Sequence, residues 1–94
     1  MIYLNVYLQV KEASDVPNIA EALTRAGEKS RQEPGCHRWE AYHSKNDPNR
    51  FLLVEHWESQ EHLDQHREAE AYQQIYKVDV LPKVDREGHP ADLL

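Results

Sequence analysis

Four side chains able to carry protons or bind metals recur every fourth residue: Glu58, His62, His66 and Glu70. On a helix that spacing lines them along one stripe. Two histidines at i and i+4 can chelate a metal such as zinc. Surface stripes of this kind are more often simply solvated, so no metal is assigned to them. His66 is the strongest candidate for proton chemistry. An imidazole titrates near neutrality, so it can take a proton from a hydroxyl and later return it. His66 follows Leu63 within one helical turn, which sets it toward the inward edge of its helix. The competing reading is a histidine that packs against a sheet or caps it.

Other side chains qualify by type. Asn5 stands in the middle of an alternating segment, between Tyr3 and Tyr7. Asparagine is disfavoured inside strands, and its amide could hydrogen-bond a ligand oxygen or a developing oxyanion. A solvated or backbone-bonded amide is the plain alternative. Trp57 closes an apolar segment and offers a rigid ring for stacking, although a ring of that size is as readily a core residue. Tyr72 and Tyr76, four residues apart, share a helix face and line either a pocket or a core stripe with wet hydroxyl tips. Cys36 is the only cysteine; a disulfide is excluded, and nothing around it marks an activated thiol. Gly27, Gly35 and Gly88 are isolated, so phosphate loops of the usual nucleotide and flavin sites are absent.

These residues need elements to position them. Ile2, Leu4, Val6, Leu8 and Val10 alternate with Tyr3, Asn5, Tyr7, Gln9 and Lys11, a strand with one dry face. Ser14-Asp15 supplies helix-start chemistry and Pro17 is tolerated in a first turn. Val16, Ile19, Ala20, Leu23, Gly27 and Ser30 recur at helical spacing, and Pro34-Gly35 halts the helix near Glu33. Cys36 to His43 and Arg50 to Trp57 read as strands of an antiparallel hairpin, joined by the turn signal Asn46-Asp47-Pro48-Asn49. The run Phe51-Leu52-Leu53-Val54 implies burial on both faces. Ser59 caps a further helix that reaches toward Val80, with a break expected around Glu68 to Glu70. A short last strand is expected at Ala91 to Leu94. The order β-α-β-β-α-β is the ferredoxin-like α+β unit.

A chain of 94 residues makes one domain spanning 1–94, with residues 82–94 the least legible. Small domains often draw stability from a partner subunit. One sheet face carries the helices and nothing remains to cover the other, which predicts a homodimer joined sheet to sheet. Hydrophobic residues at 39%, charged residues at 30% and a net charge of −6 fit a globule and disfavour nucleic acid or anionic membrane as partners. The opening Met1 to Asn5 lacks the basic and apolar regions of a signal peptide, and no apolar stretch could span a bilayer, so a cytoplasmic location is expected.

Four segments in order, Glu33-Pro34-Gly35-Cys36, Asp47-Pro48-Asn49-Arg50-Phe51, Glu55-His56-Trp57-Glu58-Ser59 and Leu63-Asp64-Gln65-His66, resemble the antibiotic biosynthesis monooxygenase family over about residues 1–80. That family forms dimeric α/β barrels and includes quinol monooxygenases. The resemblance implies a cofactor-independent oxidation of a small phenolic or quinol molecule by dioxygen. His66 would be the base, Asn5 the amide donor and Trp57 the stacking wall, with Tyr72 and Tyr76 as further substrate contacts. The three are expected to converge between the helices and the polar face of the first strand. Haem-degrading relatives carry histidine where this chain has Tyr76 and tryptophan where it has His66, which points away from haem. Trp39 stands where the family often has tyrosine, and Ala71 where some members have a second histidine. Two alternatives remain: an isomerase or lyase on the same scaffold, and a non-catalytic ligand-binding stress-response dimer.

Overall fold

The computed structural model covers residues 1–94. Strand β1 (Ile2–Val10) leads through a 3-10 turn at Ala13–Asp15 into helix α1 (Val16–Ser30). Strands β2 (Cys36–His43) and β3 (Arg50–Trp57) form the expected hairpin. Helix α2 (Gln60–Glu68) is followed by helix α3 (Ala71–Val80), a 3-10 turn at Leu81–Lys83 and strand β4 (Val84–Ala91). The sheet is antiparallel in the order β2-β3-β1-β4, the ferredoxin-like arrangement that the sequence predicts.

Local chemistry explains the boundaries. Pro17 sits in the first turn of α1, where a missing N–H is harmless. No side chain caps that helix, so Ser14-Asp15 contributes a turn rather than a cap hydrogen bond. The last turn closes through Arg31 N–H donating to Gly27 O. Gly35 follows with φ +76, a conformation that a Cβ disfavours. A Cβ there would also lie 2.3 Å from the His62 ring, so glycine is required twice over. Ser59 caps α2 as expected, its hydroxyl accepting from His62 N–H.

The anticipated helix break falls at Ala69, whose backbone is extended. Beyond it the chain is π-wound: Leu81 N–H reaches back five residues to Tyr76 O. Windings of this kind are uncommon and gather at functional sites.

Two expectations are corrected. The final strand occupies Val84–Ala91 and pairs along β1, from Val84 opposite Val10 to Ala91 opposite Tyr3. Its Asp, Arg, Glu and His residues carry no apolar alternation, so the strand exists through pairing rather than through its own pattern. Pro90 is tolerated because β4 is an edge strand. Strand β3 is buried on one face only: Phe51, Leu53, Glu55 and Trp57 are buried, whereas Leu52, Val54 and His56 are half-exposed. The helices cover only the first set.

The core lies between that face and the helices. Leu4, Val6, Leu8 and Val10 of β1 meet Ile19, Ala22, Leu23 and Ala26 of α1, and Ile75 and Val80 of α3. The opposite face presents Tyr3, Asn5, Tyr7, Tyr42, Leu52 and Val54 without cover from this chain. No helix is long and apolar enough to cross a membrane.

Candidate active site

Strand phase brings polar groups into this core. Leu4 pairs with Glu55, and Glu55 with Trp39, so all three point to the helix side. On β4, Arg86 is in phase with Val84 and points the same way. Helices α2 and α3 close over them with His66, Arg67, Tyr72 and Tyr76. The result is a partly open cavity between sheet and helices, lined by these groups and by Ala26, Ser30, Leu53, Leu63 and Ala71, with the exposed Arg86 at its edge. It offers about 20 Å³ to water centres, enough for a single water.

His66 is 6% exposed. Its ring lies against Trp57 at 4.4 Å between centroids and meets Tyr72 edge-on at 5.8 Å. Nδ1 is 2.7 Å from Glu33 Oε1, and Nε2 is 3.9 Å from Glu55 Oε1. The Glu33-Pro34-Gly35 turn makes the first contact possible. Glu58 N–H donates to Gly35 O at 2.8 Å, tying the turn to the end of β3 and holding Glu33 over α2. Trp57 Nε1–H donates to Glu55 Oε1 at 3.0 Å. Two hydrogen-bonded pairs, Glu33–His66 and Trp57–Glu55, thus stand end to end with 3.9 Å between His66 and Glu55.

Burial sets the protonation states. Desolvation, reinforced by the Glu55 charge, pushes Glu33 up from 4.5 to about 7. Desolvation, with the adjoining Arg67 charge, pushes His66 down from 6.5 to about 4. The 2.7 Å contact is therefore the hydrogen bond of a neutral imidazole rather than an ion pair. Burial also raises Glu55, opposed by the Trp57 N–H and by Arg86 and Arg67. A neutral buried imidazole keeps a lone pair free, as a base requires.

The two shifts have opposite consequences for stability. A carboxyl whose folded pKa is raised loses stability as pH climbs from about 4.5 to 7. A histidine whose folded pKa is depressed gains stability as pH climbs from about 4 to 6.5. These slopes cancel between about 4.5 and 6.5. In Glu33→Gln only the histidine slope remains. Urea unfolding of the variant, relative to the native chain, should then show stability rising by up to about 3 kcal/mol from pH 4 to 6.5. Superimposable profiles would count against these assignments.

Three buried polar atoms on the cavity wall have no partner: Ser30 Oγ, Trp39 Nε1 and Tyr76 OH. Trp39 faces Glu55, and Tyr76 faces Arg86, without reaching hydrogen-bond geometry. Unpaired buried donors cost about 1–3 kcal/mol each. A ligand bearing oxygen acceptors would relieve that cost.

The residues singled out by sequence divide as follows. His66, Tyr72 and Tyr76 all line the cavity. The Tyr72 and Tyr76 rings lie 5.3 Å apart. Trp57 is fully buried and lies behind His66, a core ring rather than a cavity wall. Asn5 lies on the opposite face of the sheet, beside Val54 and His89, and cannot reach the cavity. The expected convergence on the polar face of β1 is thereby corrected: its apolar face, through Leu4, lines the site. The Glu58–Glu70 stripe is broken, since α2 ends at Glu68, and no three metal-binding side chains converge.

Glu33, Glu55, Ser30 and Arg86 are candidates that the sequence does not single out, and Trp39 stands out there only as a replacement for the family's tyrosine. Glu55 had a signal, because it alternates in phase with Phe51, Leu53 and Trp57.

Fold and site together define a ferredoxin-like α+β domain that encloses a buried acid–imidazole pocket between sheet and helices. The family model for antibiotic biosynthesis monooxygenase matches residues 1–78, and the chain belongs to that family. Solved structures agree in fold. A candidate antibiotic biosynthesis monooxygenase of Nitrosomonas europaea is 28% identical, with a TM-score of 0.90 over 100% of this chain and 99% of its own. A second antibiotic biosynthesis monooxygenase is 21% identical, with a TM-score of 0.90 over 100% and 99%. A Bacteroides thetaiotaomicron protein of unknown function, described as a possible oxidoreductase, is 22% identical, with a TM-score of 0.88 over 98% and 96%. No curated protein matches the sequence.

Proposed function

We propose that this chain is a cofactor-independent monooxygenase of a small phenolic or quinol-type molecule. The observation that carries the reading is a neutral, buried His66 on the wall of a cavity that also holds unpaired donors. Family membership and the oxidoreductase descriptions of similar structures support the same class. The chemistry balances without a cofactor: a phenol and dioxygen give a quinone and water. Removing the hydroxyl proton makes the ring electron-rich enough to reduce dioxygen directly. His66 takes that proton at Nε2. Tyr76, Trp39 and Ser30 supply hydrogen bonds to substrate oxygens, and Arg86 and Arg67 stabilise the developing anion.

An aromatic ring is several times larger than the single water the cavity holds as it stands. Binding therefore needs α2 and α3 to move outward, with the extended break at Ala69 as the pivot. The assembly in this reading is a cytoplasmic homodimer in which the uncovered faces of two sheets meet. Its support is the half-exposed Tyr3, Leu52 and Val54 and the exposed Tyr7 and Tyr42. Sedimentation at micromolar concentration should give twice the chain mass; a stable monomer would remove the two-sheet barrel.

The test of function is oxygen uptake against a panel of hydroquinones and naphthols. Uptake with stoichiometric quinone formation is expected. Proton exchange or isomerisation of the panel without oxygen uptake would favour the isomerase or lyase reading. Saturable binding without turnover would favour a ligand-binding dimer.

A further inference from the structure

The His66 ring separates two spaces. Its Nε2 side faces Glu55, which lines the cavity between sheet and helices. Its Nδ1 side faces Glu33, which lines a separate surface crevice with Pro34, His62, Gln65 and Ala69. His66 is a wall of both. The crevice offers about 60 Å³ to water centres, room for water where the cavity holds one molecule. The side chains of Glu33 and His66 are 16% and 6% exposed, so at the crevice the carboxyl is the more open of the two to water.

We propose that Glu33 is the solvent end of a proton path that crosses His66 from the cavity to the surface crevice. The path rests on the reading of His66 as base and adds a residue with a separate role. In the forward step the substrate O–H bond breaks and its proton binds Nε2. At the same time the Nδ1–H bond breaks and its proton forms an O–H on the Glu33 carboxylate. Dioxygen then bonds to a ring carbon; as the O–O bond breaks, the hydrogen of that carbon and the proton on Nε2 leave with the second oxygen as water, and Glu33 returns its proton to Nδ1. The imidazole ends in its starting tautomer, and no net proton is stranded in the core. Dioxygen is the oxidant and the substrate the sole electron source. Glu33 touches no substrate; it positions His66 and exchanges its proton.

The surroundings favour transfer over permanent charge. The Glu55 charge of β3 acts on the Glu33 carboxyl, which in turn acts on the Cys36 thiol at the start of β2. Arg67 of α2 presses on His66. Arg86 of β4 acts on Glu55 and on Tyr76 of α3. Tyr72 of α3 stands edge-on to the imidazole, and His62 of α2 borders the crevice. Burial and the negative Glu55 hold Glu33 near neutrality, where a carboxyl both accepts and releases a proton readily.

The test reads the imidazole nitrogens by ¹⁵N NMR in the whole protein, without any substrate. Below the Glu33 transition its carboxyl donates to Nδ1, leaving the proton on Nε2. Above it the carboxylate accepts from Nδ1–H, leaving Nε2 bare. A neutral tautomer change near pH 7 is therefore expected in the native chain, and none in Glu33→Gln. Turnover of Glu33→Gln should fall about 10-fold or more, with the acid limb of its pH profile lost. Glu33→Asp should restore part of both. A tautomer independent of pH in the native chain, or full turnover in a folded Glu33→Gln, overturns the path. A native chain that shows the tautomer change yet consumes no oxygen with any phenol supports the path and sinks the monooxygenase reading instead.

Discussion

His66→Gln is expected to slow oxygen uptake on a quinol substrate by about 10²–10⁴-fold, the usual loss when a general base is removed. Glutamine keeps a hydrogen bond to Glu33 but has no basic nitrogen, so KM should change far less than kcat. Alanine is the poorer choice. His66 is 6% exposed and sits between Trp57 and Tyr72 rather than on a solvent rim. Its truncation would open a void beside the tryptophan and mix a stability loss into the rate. Oxygen-electrode kinetics and thermal unfolding on one preparation separate the two. Unchanged turnover in a folded His66→Gln chain would remove His66 from the chemistry. Family membership would stand, since it rests on the match over residues 1–78.

Trp57→Ala should be the most damaging single truncation, lowering unfolding stability by about 3–5 kcal/mol. The ring is fully buried, packs on His66, and its N–H is the hydrogen-bond partner of the buried Glu55 carboxyl. Removing it creates a cavity and leaves an acid without a donor. Trp57→Phe keeps most of the volume and loses only the hydrogen bond, for which about 1–3 kcal/mol is expected. The measurement is the urea midpoint at constant m-value. Were the alanine variant to unfold within about 1 kcal/mol of the native chain while KM rose sharply, Trp57 would be a substrate wall and not core.

The contrast between these two residues shows what pattern alone can read. Ile2, Leu4, Val6 and Leu8 declare β1 because one face of that strand is dry and side chains alternate with period two. Ser59 declares the start of α2 because a hydroxyl cap is a local device. Strand β4 declares nothing: seven of its eight residues are exposed, and only pairing with β1 makes it a strand. For the same reason Arg86 could not be placed in the site beforehand. Asn5 was legible as an oddity in a strand, but its own alternation with Leu4 already puts it across the sheet from the helices. Glu55 carried the opposite signal, an acid in phase with buried neighbours.

Legible in the chain alone are the elements from β1 through α2, the dry face of β1, the breaks at Pro34-Gly35 and near Ala69, and the inward placing of His66. Each of these depends on neighbours within a turn or two of chain. The proton partner of His66, by contrast, emerges only once the chain is folded. Glu33 is 33 residues away in the chain yet 2.7 Å away in space, brought there by a turn that closes onto the end of β3. Folding also decided that the imidazole is neutral and that the carboxyl titrates at about 7, because charge state depends on how much water the whole fold excludes from the pair. Burial of this kind belongs to no single segment, and no spacing of residues encodes it.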